Sequence, residues 1–251
     1  MIRLLLYSMV VMLLVTFEVF AQDAEQKPVV LLAGATGSNG SAILHVLKGG
    51  PFTIRAMSRD AKKAAAKFGP VAEWVEADVT KPETLVAAMK GVDFVIDAVA
   101  ATGIMGNNKP EVVDFKGTEN LAAAAKVAGV KRFVIITSSV SGKKNHILNY
   151  IGNDVLIYKG KAEEVLIASG VPYVIIGPSA MTDDPRGVKE IKLIPRAEYQ
   201  GGTKISRGDV GIVALEALTN AGAANRAFTV YNGEGPATPA WKQSFSAMPA
   251  K

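Results

Sequence analysis

The chain has no cysteine. That excludes a disulfide framework, a cysteine nucleophile and any thiolate metal site. It has two histidines, His45 and His146, too few for a histidine-built metal centre. Charge of either sign is modest. The chain carries 28 basic and 23 acidic residues, a formal net charge of +5, scattered without a basic stripe interleaved with aromatics. No nucleic-acid partner is expected, and so mild an excess suits a small anionic ligand. The N-terminal apolar run, Leu4 to Phe17, is 14 residues long, short of the roughly 20 that span a membrane. What is present is core material: 49% hydrophobic and 20% charged residues over 251 positions, enough for one large folded domain.

The N-terminal run has Arg3 before it and Glu18 after it, and Val19-Phe20-Ala21 places Val19 and Ala21 at the two positions that a signal-peptide cleavage site prefers small. Gln22, Asp23 and Glu25 then make a polar start. Residues 1–21 read as a secretory signal peptide, with export to the periplasm or outside the cell. The rival reading is an uncleaved anchor that ties the domain to a membrane on the cytoplasmic side.

From Lys27 onward, apolar runs alternate with helical stretches. Strands are expected over 28–33, 52–57, 72–77, 92–99, 132–137, 172–176 and 227–231. Helices are expected over 38–48, 60–68, 81–90, 110–128, 154–169 and 207–219. Strands apolar throughout, separated by amphipathic helices, predict an α/β fold: a doubly wound, Rossmann-like parallel sheet covered on both faces. One domain is expected from 27 to 235. Residues 177–202 read as its least regular stretch, and the proline-bearing tail over 236–251 as loosely wrapped.

Directly after the first strand stands Gly34-Ala35-Thr36-Gly37-Ser38-Asn39-Gly40. Gly34 permits the tight turn, Gly37 lets backbone approach a pyrophosphate, and Gly40 lets the helix pack on the strand. The amides of Thr36, Ser38 and Asn39 would meet the anion at the helix N-terminus. A glycine cluster alone is often only a turn. Here a strand precedes it and a helix follows, the context that marks a dinucleotide site.

The end of the second strand selects the cofactor. An acidic residue there would favour NAD. This chain has Met57-Ser58-Arg59, with Arg55 nearby, and Arg59 could pair with a 2′-phosphate. NADP is therefore expected over NAD. The alternative is a solvated arginine paired with Asp60.

These residues resemble the atypical short-chain dehydrogenase/reductase group, in particular its NmrA-like and biliverdin/flavin-reductase-like members. The resemblance rests on GATGSNG at 34–40, RAMSRD at 55–60, EADVTKPETL at 76–85 and GVDFVIDAVA at 91–100. It continues through VDFKGTENLAAAAKVAGVKRFVIITSS at 113–139, KAEEVLIASGVPYVIIGPSAM at 161–181 and ISRGDVGIVALEAL at 205–218. It implies that Asp78 and Val79 border the adenine and that Ala98, Val99 and Ala100 pass beside the adenosine ribose. It places Thr137 and Ser138 near the nicotinamide ribose, and Gly177, Pro178, Ser179 and Ala180 along the nicotinamide.

The catalytic set departs from the superfamily pattern of Ser, Tyr and Lys. Ser139 matches the serine and Lys159 the lysine, but the position four before Lys159 is Val155, which has no proton to give. A position that often carries a supporting Asn holds Asp114. Tyr150 and Tyr158 are out of register. His146 reads as a solvated loop residue, and Lys143 and Lys144 as a solvated pair. The resemblance implies an NAD(P)H-dependent reductase of a quinone-, flavin- or enone-like small molecule, because an acceptor already electrophilic needs little acid from the protein. The alternatives are a non-catalytic NADP sensor of the NmrA type and, less favoured, a nucleotide-sugar epimerase or dehydratase.

Overall fold

The computed structural model describes residues 27–250. The expected signal peptide or anchor over residues 1–21 lies outside them. Among the described residues no helix is long and apolar enough to cross a membrane.

Ten strands form: β1 (Val29–Ala33), β2 (Thr53–Ser58), β3 (Glu73–Glu76), β4 (Phe94–Asp97), β5 (Arg132–Ile136), β6 (Tyr173–Pro178), β7 (Ala180–Thr182), β8 (Lys189–Ile194), β9 (Lys204–Ser206) and β10 (Arg226–Pro236). Eight make one sheet in the order β3-β2-β1-β4-β5-β6-β10-β8, and β7 pairs with β9 in a small second sheet. All neighbours in the large sheet run parallel except β8, which lies antiparallel on β10. The helices are α1 (Ser38–Leu47), α2 (Ala61–Phe68), α3 (Pro82–Met89), α4 (Gly117–Val127), α5 (Ile147–Ile151), α6 (Val155–Ser169) and α7 (Arg207–Thr219).

The doubly wound architecture follows from the strands' two apolar faces. β1 sends Val30 and Leu32 into one core and Leu31 and Ala33 into the other, as strand alternation requires. The first core is closed by Ile43, Leu44 and Leu47 of α1 and by Val210, Val213 and Ala217 of α7. The second is closed by Leu85 and Met89 of α3, Leu121 and Ala125 of α4, and Leu166 of α6. Chain order reverses at β1, which lies between β2 and β4, and such a switch point opens a crevice at the strands' C-terminal ends.

Three expectations need correction. The stretch 177–202 is not irregular: β6 runs on to Pro178, and β7 and β8 follow. In β8 (KEIKLI) Ile191 and Leu193 are buried while Lys189 and Lys192 face water, the half-polar alternation of an edge strand. The tail is not loose. Trp241, Phe245 and Met248 are buried in the first core, and the Phe245 ring packs edge-on to Phe228 with centroids 5.5 Å apart. The helix expected over 110–128 opens instead with a π-helical turn, Glu111–Lys116. Elsewhere the expected elements form, with ends shifted by a residue or two, except that β4 covers only 94–97 of the 92–99 run and β10 runs five residues past the expected end at 231, to Pro236.

Candidate functional site

Gly34 adopts φ 77°, and a Cβ there would sit 2.7 Å from the Ala98 carbonyl oxygen, so the turn leaving β1 needs glycine. A Cβ on Gly40 would lie 2.0 Å from the Gly34 oxygen, because α1 begins hard against the turn. Gly37 differs. Its Cβ would meet only the Gly34 oxygen, at 3.4 Å, so the space beside it belongs to the cleft. Gly37 is the N-cap of α1, and no side chain caps that helix. Its first-turn amides thus remain for an anion.

A cleft of about 650 Å³ opens over this loop. Of the residues expected to hold a dinucleotide, it is lined by Gly34, Thr36, Gly37, Ser38, Asn39, Arg59, Asp78, Val79, Ala98, Val99 and Ala100. Gly40 supports the wall from behind. The cleft also takes in residues that the sequence reading did not single out, among them Lys81, Met105, Met181 and Arg207.

At the β2 end Arg59 is exposed. Its expected alternative partner is engaged elsewhere, since Asp60 accepts the Lys63 amide as the cap of α2. Arg55 is committed to Glu73 and to the Ala88 and Lys90 carbonyls. Asp78 accepts from the amide and hydroxyl of Thr80, and Asn120 holds the Val79 carbonyl, which fixes this part of the wall.

The remaining predicted residues do not line this cleft. Gly177 and Pro178 are buried at the end of β6, Ser179 is buried just beyond it, and only Ala180 is exposed. A Cβ on Gly177 would meet the Ser138 carbonyl oxygen at 2.9 Å. Thr137 and Ser139 are buried at the end of β5, where the Ser139 amide donates to Pro178. The Ser138 hydroxyl accepts the Val140 amide.

Lys159 donates to Asp114 at 2.7 Å, and the other oxygen of Asp114 accepts the Ala101 amide at 2.9 Å. Asp114 sits in the π-helical turn, which re-aims side chains that a plain helix would point elsewhere. Next to this pair lies Asp97, fully enclosed at the end of β4. Its oxygens accept from the Val99 amide and the Thr118 hydroxyl. Burial pushes the Asp97 carboxyl up to about 6, against the pull of those hydrogen bonds and of Lys159, and with a smaller push from Asp114. Asp97 went unremarked in the sequence, although it is a lone charge inside the apolar run FVIDAVA.

Among the described residues no phenol hydrogen-bonds to Lys159 or Asp114. Tyr158 lies against Phe115 with ring centroids 6.4 Å apart, and Tyr150 is 78% exposed. His146 caps α5, its Nδ1 accepting the Leu148 amide.

Residues 34–221 match the model of a family described as NAD(P)H-binding. The chain belongs to that family. This NAD(P)H-binding protein is similar to sanguinarine reductase of Eschscholzia californica, 31% identical over 90% of this chain and 98% of the relative. It is also similar to a Bacillus subtilis protein named as an uncharacterized sugar epimerase, YhfK, 32% identical over 85% of this chain and 99% of that one. Among solved structures, a putative NAD-dependent epimerase/dehydratase from Bacillus halodurans shares the fold with a TM-score of 0.75. It is 23% identical and covers 86% of this chain and 99% of its own.

Proposed function

We propose that the protein is an NADPH-dependent reductase of an apolar acceptor that is already electrophilic: quinone-, flavin- or enone-like. The observation that carries this reading is the Lys159–Asp114 ion pair, to which no phenol of the described residues is hydrogen-bonded. When bound, the cofactor supplies the hydride. The residues of this chain orient and enclose. Asp114, held by Lys159, fixes the Ala101 amide and with it the wall from Ala98 to Ala101, a positioning role. Arg59, exposed at the end of β2, would pair with a 2′-phosphate.

An apolar acceptor fits the rim. Ile104 is 56% and Met105 80% exposed, and Met105 lines the cleft. The Ile104 carbonyl accepts from Asn153, which brings the loop beside α5 and its exposed Ile147 and Ile151. An exposed group of this kind marks a binding surface more often than chance. The name of the sanguinarine reductase relative agrees with reduction. Nucleotide-sugar epimerisation has the YhfK name in its favour, but the missing phenol stands against it. Residues 1–21 are proposed to direct export or, alternatively, to anchor the domain facing the cytoplasm, where NADPH is supplied.

The test is NADPH consumption by purified protein with a quinone, a free flavin, an enone and an unactivated ketone. Turnover is expected with the activated acceptors and not with the ketone. Val155→Tyr, which sets a phenol one turn before Lys159, should add the ketone. Saturable NADPH binding without turnover of any acceptor would favour the sensor reading.

A further inference from the structure

Arg207 opens α7, 168 residues along the chain from Asn39, yet its Nε donates to the Asn39 side-chain oxygen at 3.1 Å. Asn39 belongs to the first turn of α1, and both residues line the cleft. The guanidinium is thus carried to the mouth of the glycine loop by a segment that the loop motif does not include. Its Nη1 donates to Asp183 at 2.7 Å, and Asp183 is 89% exposed while Arg207 is 24% exposed. Its Nη2 has no hydrogen-bond partner among the described residues and is not shut away from solvent.

We propose that Arg207 clamps the pyrophosphate of the bound dinucleotide, exchanging Asp183 for it. This deepens the NAD(P)H-binding assignment by naming a pyrophosphate contact outside the glycine loop. Three observations carry it. The guanidinium already faces the cleft with one edge pinned by Asn39, so little rotamer freedom remains to be lost. Its present anionic partner is in water, where an ion pair holds weakly, and a pyrophosphate offers more charge and a fork-matched geometry. The uncapped first turn of α1 presents its amides from the same loop, so backbone donors and the guanidinium converge on one place. The other lining cations, Arg59 and Lys81, come from the β2 and β3 ends, away from the loop–α7 contact. A plain strut would account for the Asn39 and Asp183 bonds, but it makes Asp183 a partner the protein needs. The clamp makes Asp183 a competitor.

The experiment titrates the full chain with NADPH and NADH, read by nicotinamide fluorescence, for wild type, Arg207→Ala and Asp183→Asn, with melting midpoints alongside. Arg207→Ala should weaken both cofactors by about ten- to a hundredfold, because the pyrophosphate is common to both. Asp183→Asn should tighten both a few-fold. Inorganic pyrophosphate should compete with NADPH on wild type, and more strongly on Asp183→Asn. Unchanged affinity in a folded Arg207→Ala overturns the clamp, and so does weakened binding in Asp183→Asn. Should Arg207→Ala fail to fold, Asp183→Asn and the pyrophosphate competition decide alone. A wild-type protein that binds neither cofactor would overturn the dinucleotide assignment together with the clamp, a result distinct from cofactor binding that ignores Arg207.

Discussion

The Lys159 ammonium lies 2.7 Å from Asp114, a carboxylate whose side chain is 2% exposed. A buried carboxylate that loses its only ion-pair partner costs about 3–5 kcal/mol. Lys159→Met should therefore destabilise the fold by roughly that much as well as weaken cofactor binding. Asp114→Asn combined with Lys159→Met should recover most of the loss, because no buried charge is stranded. Chemical denaturation of the two single variants and the double variant measures the coupling. Additive effects would mean that the pair contributes nothing as a pair.

The carboxyl of Asp97 gives the fold a pH signature. Folded, it holds its proton up to about pH 6, against 3.8 as the reference value. Between those values the folded state binds more protons than the unfolded, so the contribution of this group is present below the lower value and lost as pH rises through the upper. Asp97→Asn removes that dependence, and the Thr118 hydroxyl can turn to accept from the new amide. The variant should gain on wild type by on the order of 2–3 kcal/mol between about pH 4 and pH 7. Parallel stability curves would contradict this.

Two glycines of one loop should answer differently to a side chain. Gly40→Ala drives a Cβ to 2.0 Å from the Gly34 oxygen and should cost about 3 kcal/mol or more by forcing α1 off β1. At Gly37 an added Cβ meets only the Gly34 oxygen, at 3.4 Å, so Gly37→Val directs its side chain into the cleft. It should keep its melting midpoint and lose dinucleotide binding, as calorimetry would show. NADPH binding to a folded Gly37→Val would overturn the placement of the loop.

Most of the sheet was legible because its strands are covered on both faces and so read as unbroken apolar runs, as PVVLLA and RFVIIT do. The edge was not. β8 buries only Ile191 and Leu193, and three prolines masked the tail although Trp241 and Phe245 stand four apart, the spacing of one helical face. The cleft's first half was legible in GATGSNG and Arg59, since a local motif builds it. Asp97, Asp114 and Arg207 act through partners 13 to 168 positions away, which no local pattern encodes.

On the proposed reading Arg59 selects NADPH over NADH. Arg59→Ala should weaken NADPH by about ten- to a hundredfold, the loss of a charge-assisted contact worth roughly 1.5–3 kcal/mol, and leave NADH unchanged. Fluorescence titration of both cofactors checks it. Equal wild-type affinity for the two would remove the basis for an NADPH preference.

Whether this chain reduces anything is tested most directly by following the hydride. NADPH deuterated at its transferable ring carbon is mixed in single turnover with an enone, and the product is examined by mass spectrometry and NMR. The account predicts one deuterium on the β-carbon of the enone, transferred by wild type and lost with cofactor binding in Gly37→Val. Deuterium that stays on a bound, unconsumed cofactor across quinone, flavin and enone acceptors would contradict it.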